Sequence, residues 1–314
     1  MRIVSLLPSA TEIVCALGLT DSLVGISHDC DYPPEISGKA VLSEAIVTTD
    51  LPSGVIDATI RGQVHKGKSV YHLDERQLTS LEPDLILTQE LCAVCAPSYT
   101  LVKQAARLLE GQTRLVSLEP ENLAGILDNM MLVGDLTGRA AEATALADQL
   151  RARIERVREA VTGRPHPRVA CIEWLDPLFV AGHWVPEMVA FAGGVDVLGR
   201  AGEPSFVVSW QAIGAAEPDV IVLMPCGFTV RRTRQEVPLL TGRTGWADVR
   251  AVRAGQVYLT DASAYFNRPG PRIVTGVEIL AKILHPEVSS TPPPADAFER
   301  LSRAPVEVAF PKLR

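Results

Sequence analysis

The chain has 314 residues, 47% of them hydrophobic and 21% charged, with a formal net charge of −7. This is the composition of a folded chain long enough for two cores, and it excludes intrinsic disorder. The acidic balance argues against a nucleic-acid or anionic-membrane partner, and no run approaches the roughly 18 consecutive apolar residues of a spanning helix.

Met1 to Pro8 read as a strand that begins at once, without the cationic stretch, apolar run and small-residue cleavage site of a secretory leader. A cytoplasmic location is expected from this, or an extracytoplasmic one if a leader was removed. Residues 12–18 read as an amphipathic helix stopped by Gly18, with a short strand following from Leu23. A polar loop then carries His28, Asp29, Cys30, Asp31 and Tyr32 in succession. The phrase Leu81-Glu82-Pro83-Asp84-Leu85-Ile86-Leu87 reads as a helix end, a Pro-Asp turn and an apolar strand, and it runs into a loop with Cys92 and Cys95. Residues 139–161 are dominated by Ala, Leu, Arg and Glu, strong helix formers, and Gly163 and Pro165 end the run. At 1.5 Å per residue such a helix is about 35 Å long, enough to join two lobes.

The second half repeats the order of the first. A strand at residues 168–172 leads to a helix ending at Gly193, and Ala216-Glu217-Pro218-Asp219-Val220-Ile221-Val222 restates the earlier phrase before Cys226. Alternation of strands and helices in this way argues for parallel α/β units. The expected fold is α/β, two similar lobes with parallel sheets joined by one long helix. The expected boundaries are 1–121 for the first lobe, 122–164 for the linking helices, 165–288 for the second lobe, and 289–314 for an irregular Pro- and Ser-rich tail. In open parallel sheets, ligands bind outside the carboxyl ends of the strands.

These residues resemble a known family. Two α/β lobes joined by a long helix are similar to the class III solute-binding proteins of ABC importers, which carry cobalamin, haem and iron-siderophores. The opening Ile3-Val4-Ser5-Leu6-Leu7-Pro8-Ser9-Ala10-Thr11-Glu12 and the phrase Pro83 to Leu87 resemble the vitamin B12-binding branch. His28 to Pro33, Cys92 to Cys95 and Tyr265 to Pro271 look like a leaderless, cysteine-containing subgroup often labelled cobalamin-binding. The resemblance reaches to about His285. It implies a small-molecule ligand between the lobes and an ABC permease as partner, with acidic residues on each lobe docking on it; Glu44 and Glu203 are candidates that no motif distinguishes. The chain is expected to be a monomer.

Four groups of residues could carry chemistry. His28 and Cys30 offer imidazole and thiolate to a divalent metal such as zinc. Cys92 and Cys95, spaced Cys-x-x-Cys, could complete such a site or form a redox pair, with Cys226 and Glu173 as further donors. Trp174, Trp184, Phe228, Tyr265 and Phe266 could wall a planar macrocycle, since aromatic faces give large contact area at low entropy cost, with Tyr32 and His183 as further ligand-binding residues and the His28 or His183 imidazole able to ligate its metal. Arg268 could fork onto a ligand oxygen. Cys15 and Cys171 sit in apolar runs and read as core residues.

The leading functional expectation is a noncatalytic binding protein for cobalamin or another corrinoid or metal chelate. One alternative is a cytoplasmic thiolate- and imidazole-metal protein. Another is an enzyme with Cys92, Cys95 or Cys226 as nucleophile and His28 or His183 as base. Against the enzyme stands the lack of a nucleophile elbow, P-loop or Gly-x-Gly-x-x-Gly.

Overall fold

The computed structural model describes residues 1–66, 69–89, 113–288 and 292–302. Contacts divide the chain into two units. The first holds Met1–Leu51, Val55–Ala152 and Arg268–Pro271; the second holds Pro52–Gly54, Arg153–Asn267 and the chain from Arg272 onward.

In the first unit the chain runs β1 (Ile3–Ser5), α1 (Pro8–Ala16), β2 (Leu23–Ile26), β3 (Ala40–Val41), β4 (Ser43–Ala45), α2 (Ser53–His65), β5 (Tyr71–Leu73), α3 (Glu75–Ser80), β6 (Leu85–Thr88), β7 (Arg114–Ser117) and α4 (Leu123–Thr137). It then enters α5 (Ala140–Val161), which continues into the second unit. Five strands form a parallel sheet in the order β3-β2-β1-β6-β7, and β4 pairs antiparallel with β5. Its central strands are buried on both faces, which is why they read as unbroken apolar runs rather than alternating ones.

The second unit holds β8 (Arg168–Leu175), β9 (Leu178–Val180), α6 (Val185–Phe191), β10 (Val195–Asp196), β11 (Phe206–Val207), α7 (Trp210–Ala215), β12 (Val220–Leu223), α8 (Val230–Glu236) and α9 (Pro238–Thr241). It continues with α10 (Arg250–Ala254), β13 (Val257–Thr260), α11 (Ala262–Tyr265), α12 (Ile273–Leu284) and β14 (Phe298–Arg300). The sheet runs β11-β9-β8-β12-β13-β14, with β10 also on β8. One core cluster lies under it, with Ile172, Val180, Ile213, Ile221 and Leu259 among its members.

The repetition in the sequence is a repetition of topology. Parallel order β2-β1-β6-β7 in the first unit recurs as β10-β8-β12-β13 in the second. Each repeated phrase also closes with the same staple. Asp84 accepts from the Arg2 N–H at 2.6 Å, and the Arg2 side chain donates to the Leu81 carbonyl at 2.6 Å. Asp219 accepts from the Arg168 N–H at 2.9 Å, and the Arg168 side chain donates to the Ala216 carbonyl at 2.7 Å. The Glu before each proline, Glu82 and Glu217, has positive φ, at 41° and 45°. The Pro-Asp turn is therefore a left-handed corner locked by the arginine that starts the neighbouring strand.

The expected α/β fold with parallel sheets is present, and three details add to it. Beside its parallel core the second sheet carries β9, β11 and β14, which run antiparallel. The polar pair Glu173-Trp174 reads as a strand end, yet β8 carries on through it to Leu175 and turns back into β9. Nor is the tail irregular throughout: Phe298–Arg300 pairs with β13, Tyr258 opposite Arg300.

α4 ends at Gly138 in the left-handed region at φ 70°, where glycine is favoured. The last part of α5 is held within the second unit by Arg153. Its guanidinium donates to both carboxylate oxygens of Glu278 on α12, at 2.9 and 2.7 Å, and to Thr275 at 2.9 Å.

Candidate functional site

In each unit the loops that leave the carboxyl ends of the parallel strands hold the residues singled out in the sequence. In the first unit β2 opens into Ser27, His28, Asp29 and Cys30. The His28 Nδ1 lies 2.8 Å from the Ser43 hydroxyl, its Nε2 lies 3.5 Å from the Asp29 carboxylate, and its ring tilts against Tyr71. The Cys30 sulfur lies 3.1 Å from the Thr11 hydroxyl and 3.3 Å from that of Ser27. Burial pushes the Cys30 thiol above its ordinary range despite those hydroxyls. It is held as a thiol, whereas metal binding needs the thiolate.

Arg268 belongs with this loop. Its fork takes both Asp31 carboxylate oxygens and also donates to the Asp29 carbonyl at 3.0 Å, and the side chain is only 13% exposed. The guanidinium is thus spent on bracing the His28–Asp31 turn rather than reaching outward. Gly270 lies over the start of α1, where a Cβ would come 3.4 Å from the Ser9 backbone and from the Glu12 carboxylate. Tyr32 is left 42% exposed.

Cys92 and Cys95 lie outside the described residues. Among the described residues no three or more of His, Cys, Asp and Glu come together in a way that could hold a metal ion.

In the second unit Glu173 sits at a bulge. Register shifts there, Ile172 standing opposite Val180 and Trp174 opposite Phe179, so Glu173 is the extra residue in β8. Bulges re-aim side chains next to functional sites. Burial raises the Glu173 carboxyl to about 7, against the smaller lowering effect of the nearby Ser205 hydroxyl and Gly182 N–H. The loops that carry those donors are locked together. The His183 N–H donates to the Glu203 carbonyl at 2.6 Å, and the Gly202 N–H donates to the His183 carbonyl at 2.9 Å. A Cβ on Gly182 would come within 2.4 Å of the Glu203 oxygen, so only glycine lets the two segments close. Cys226 is exposed and meets Glu173 through the backbone, its N–H donating to the Glu173 carbonyl at 3.0 Å.

The predicted aromatic walls divide by burial. Phe228 and Phe266 are completely buried, and Trp184 nearly so, with its indole N–H donating to the Phe266 carbonyl at 2.8 Å. These three rings are taken up in packing and show little or no surface. Trp174, His183 and Tyr265 stay partly exposed. Trp174 packs at 5.2 Å on Phe228, whose other contacts include the Arg232 guanidinium at 4.2 Å. His183 stacks on Trp184 at 5.6 Å, and the Arg272 guanidinium lies 5.9 Å from the Tyr265 ring. The sequence singles out Glu173 as a further donor but not the bulge that holds it or the closed loops beside it. The available signal was Gly182, a glycine between a strand and the His183-Trp184 pair.

No helix among the described residues is long and apolar enough to cross a membrane. The chain is 26% identical over 288 residues to a vitamin B12-binding protein of Vibrio cholerae, covering 90% of this chain and 88% of that protein. It is 24% identical over 297 residues to an uncharacterized ABC transporter substrate-binding lipoprotein of Bacillus subtilis, covering 91% of this chain and 80% of the relative. The crystal structure of a periplasmic heme binding protein from Pseudomonas aeruginosa superposes with a TM-score of 0.70 at 22% identity, over 96% of this chain and 99% of that one. A cytoplasmic location finds no support among these relatives. The family described as periplasmic binding protein matches residues 3–264, and the chain belongs to it.

Proposed function

We propose that this chain is an extracytoplasmic receptor that binds cobalamin or a closely related corrinoid and delivers it to an ABC permease. The observation that carries this reading is the likeness to a vitamin B12-binding protein over about nine-tenths of both chains. In the second unit the partly exposed rings of Trp174 and Tyr265 and the imidazole of His183 suit a broad, flat ligand. By family the chain is a binding protein and not an enzyme. Glu44 and Glu203 are the acidic residues offered to a permease. Both are exposed, and Glu203 already pairs with Arg200 at 3.1 Å.

Titration of the purified protein with cyanocobalamin, followed by absorbance and calorimetry, tests the proposal. One-to-one binding below about 1 μM, some −8 kcal/mol, is the expected outcome. No heat and no spectral change at high micromolar ligand would overturn it. Haemin is the necessary second ligand, because a haem-binding protein shares the fold. Tight haemin binding without cobalamin binding would move the assignment to a tetrapyrrole.

A thiolate-metal protein is the weaker reading, because burial disfavours the Cys30 thiolate and the sulfur is already in contact with two hydroxyls. Elemental analysis of untagged protein tests it; one zinc per chain, lost in Cys92→Ala/Cys95→Ala, would revive it.

A further inference from the structure

The second unit holds a cluster of two imidazoles that the binding reading does not use. It lies near the amino ends of β8 and β10, which pair there through Arg168 and Val195. Three helix ends meet at this point. The last residue of α5 is Val161, α6 gives way to the turn Gly193-Gly194, and α12 is followed at once by His285. A Cβ on Gly193 would come 2.7 Å from the His285 Nε2 and 2.9 Å from the Val161 Cβ, and one on Gly194 would come 2.7 Å from Leu284. The His166 Nδ1 lies 3.0 Å from the Gly193 carbonyl. Two glycines thus let the seam close on His285.

The seam suits His285 only as a neutral ring. The residue is 3% exposed, and its Nε2 has no hydrogen-bond partner. A charge buried without a partner is costly, whereas a neutral imidazole packs as a flat plate. The charged groups on the surrounding elements are already engaged. Arg164 pairs with Glu287, and Arg158 with Glu155. Lys282 donates to the Pro286 carbonyl, and Glu278 is held by Arg153. Arg168 donates to the Ala216 carbonyl, and Asp196 accepts from the N–H groups of Leu198 and Gly199. Glu159 on α5 and Glu187 on α6 complete the set. Burial pushes the His285 imidazole below its ordinary value, against smaller opposing effects of the Gly193 backbone and Glu287. A surface pocket of about 260 Å³, with Val161, His166 and Gly193 in its lining, runs along the same seam and brings water close to it.

We propose that His285 is an acid-sensitive latch: as a neutral ring it holds the end of α12 against Val161 and the Gly193 turn, and on taking up a proton it releases that end into water. Opened to water the imidazole titrates near 6.5, whereas in the seam it takes up its proton only at lower pH. The latch is at full strength above about 6.5 and weakens as pH falls toward the folded value. Glu173 acts with the opposite sign, because acid favours its folded, protonated form, so it cannot imitate this opening.

Hydrogen–deuterium exchange of residues 190–195 and 282–288 at pH 7.5 and pH 5.5, corrected for intrinsic rates, tests the proposal on wild type, His285→Gln, His285→Leu and His166→Asn. In wild type the open fraction of both segments should rise as pH falls, by at most about tenfold per pH unit, the factor that one proton carries. His285→Gln and His285→Leu should lose that rise, and His166→Asn should keep it. The wild-type His285 ring resonance, followed by NMR, needs no variant and should titrate below 6.5. Exchange in wild type that is level with pH, a rise that survives in both His285 variants, or a His285 titration at or above 6.5 would each overturn the latch. Loss of the rise in His166→Asn alone would overturn it by giving the proton to His166.

Discussion

Glu173 also sets a pH dependence of folding that is independent of any ligand. Unfolded, the carboxyl ionises near 4.5; folded, it keeps its proton to about 7. Below 4.5 both states are protonated and the group has no effect on stability. Between 4.5 and 7 only the unfolded chain releases the proton, so stability is lost as pH rises, on the order of 3 kcal/mol above pH 7. Urea unfolding of wild type and Glu173→Gln at pH 5 and pH 8 should show the variant gaining on wild type at the higher pH; an unchanged difference contradicts the assignment. Thiol reactivity gives a second residue-level expectation. Cys226 is exposed, whereas Cys30 is pressed against two hydroxyls and Cys171 is completely buried. In peptide mapping after brief iodoacetamide treatment, Cys226 should be alkylated well ahead of Cys30 and Cys171. Modification of Cys30 at an equal rate would show that its burial is transient. The residue types at these positions were legible in the sequence, but their surroundings were not. Nothing near Cys30 in the chain announces Thr11, and nothing near Arg268 announces Asp31, because both pairings are made by folding rather than by spacing.

At the scale of elements, the apolar runs and Pro-Asp turns announced where strands begin, since proline and aspartate act locally on the backbone. The arginines that lock those turns could not be read, as Arg2 and Asp84 stand just ahead of different strands of the finished sheet. Strand β8 shows the opposite failure. Its polar end was read as a loop, although the ladder to β9 overrides the local preference of Glu173 and Trp174. Glycines make the same point in a testable form. Gly276 lies inside α12, and a Cβ there would come 2.2 Å from the Tyr265 carbonyl oxygen and 2.5 Å from the Met188 methyl. Gly62 lies inside α2 with nothing within 4 Å of the same position. Gly276→Ala should therefore destabilise by about 3 kcal/mol through overpacking. Gly62→Ala should stabilise by about 0.5–1 kcal/mol through helix propensity alone. Urea midpoints of the two variants check both signs, and a stable Gly276→Ala would mean that α11 shifts freely against α12.

For the molecule as a whole, duplication was the legible feature, because each half states its strands and turns in the same order and the parallel core of each sheet obeys that order. Membership of short segments was not legible. Pro52–Gly54 counts with the second unit, where Ser53 donates to the buried Glu236 carboxylate at 2.6 Å, and Arg268–Pro271 counts with the first. Such placements depend on partners hundreds of residues away and leave no local mark. The binding function has its own whole-molecule consequence. A protein that only binds its ligand is stabilised by mass action, by about 2.7 kcal/mol when free ligand stands at 100 times Kd. Urea unfolding with and without cyanocobalamin should therefore show a ligand-induced rise of that size, with cobalamin recovered chemically unchanged. No shift at saturating ligand would contradict the binding role, and a chemically altered corrinoid would contradict a purely binding one.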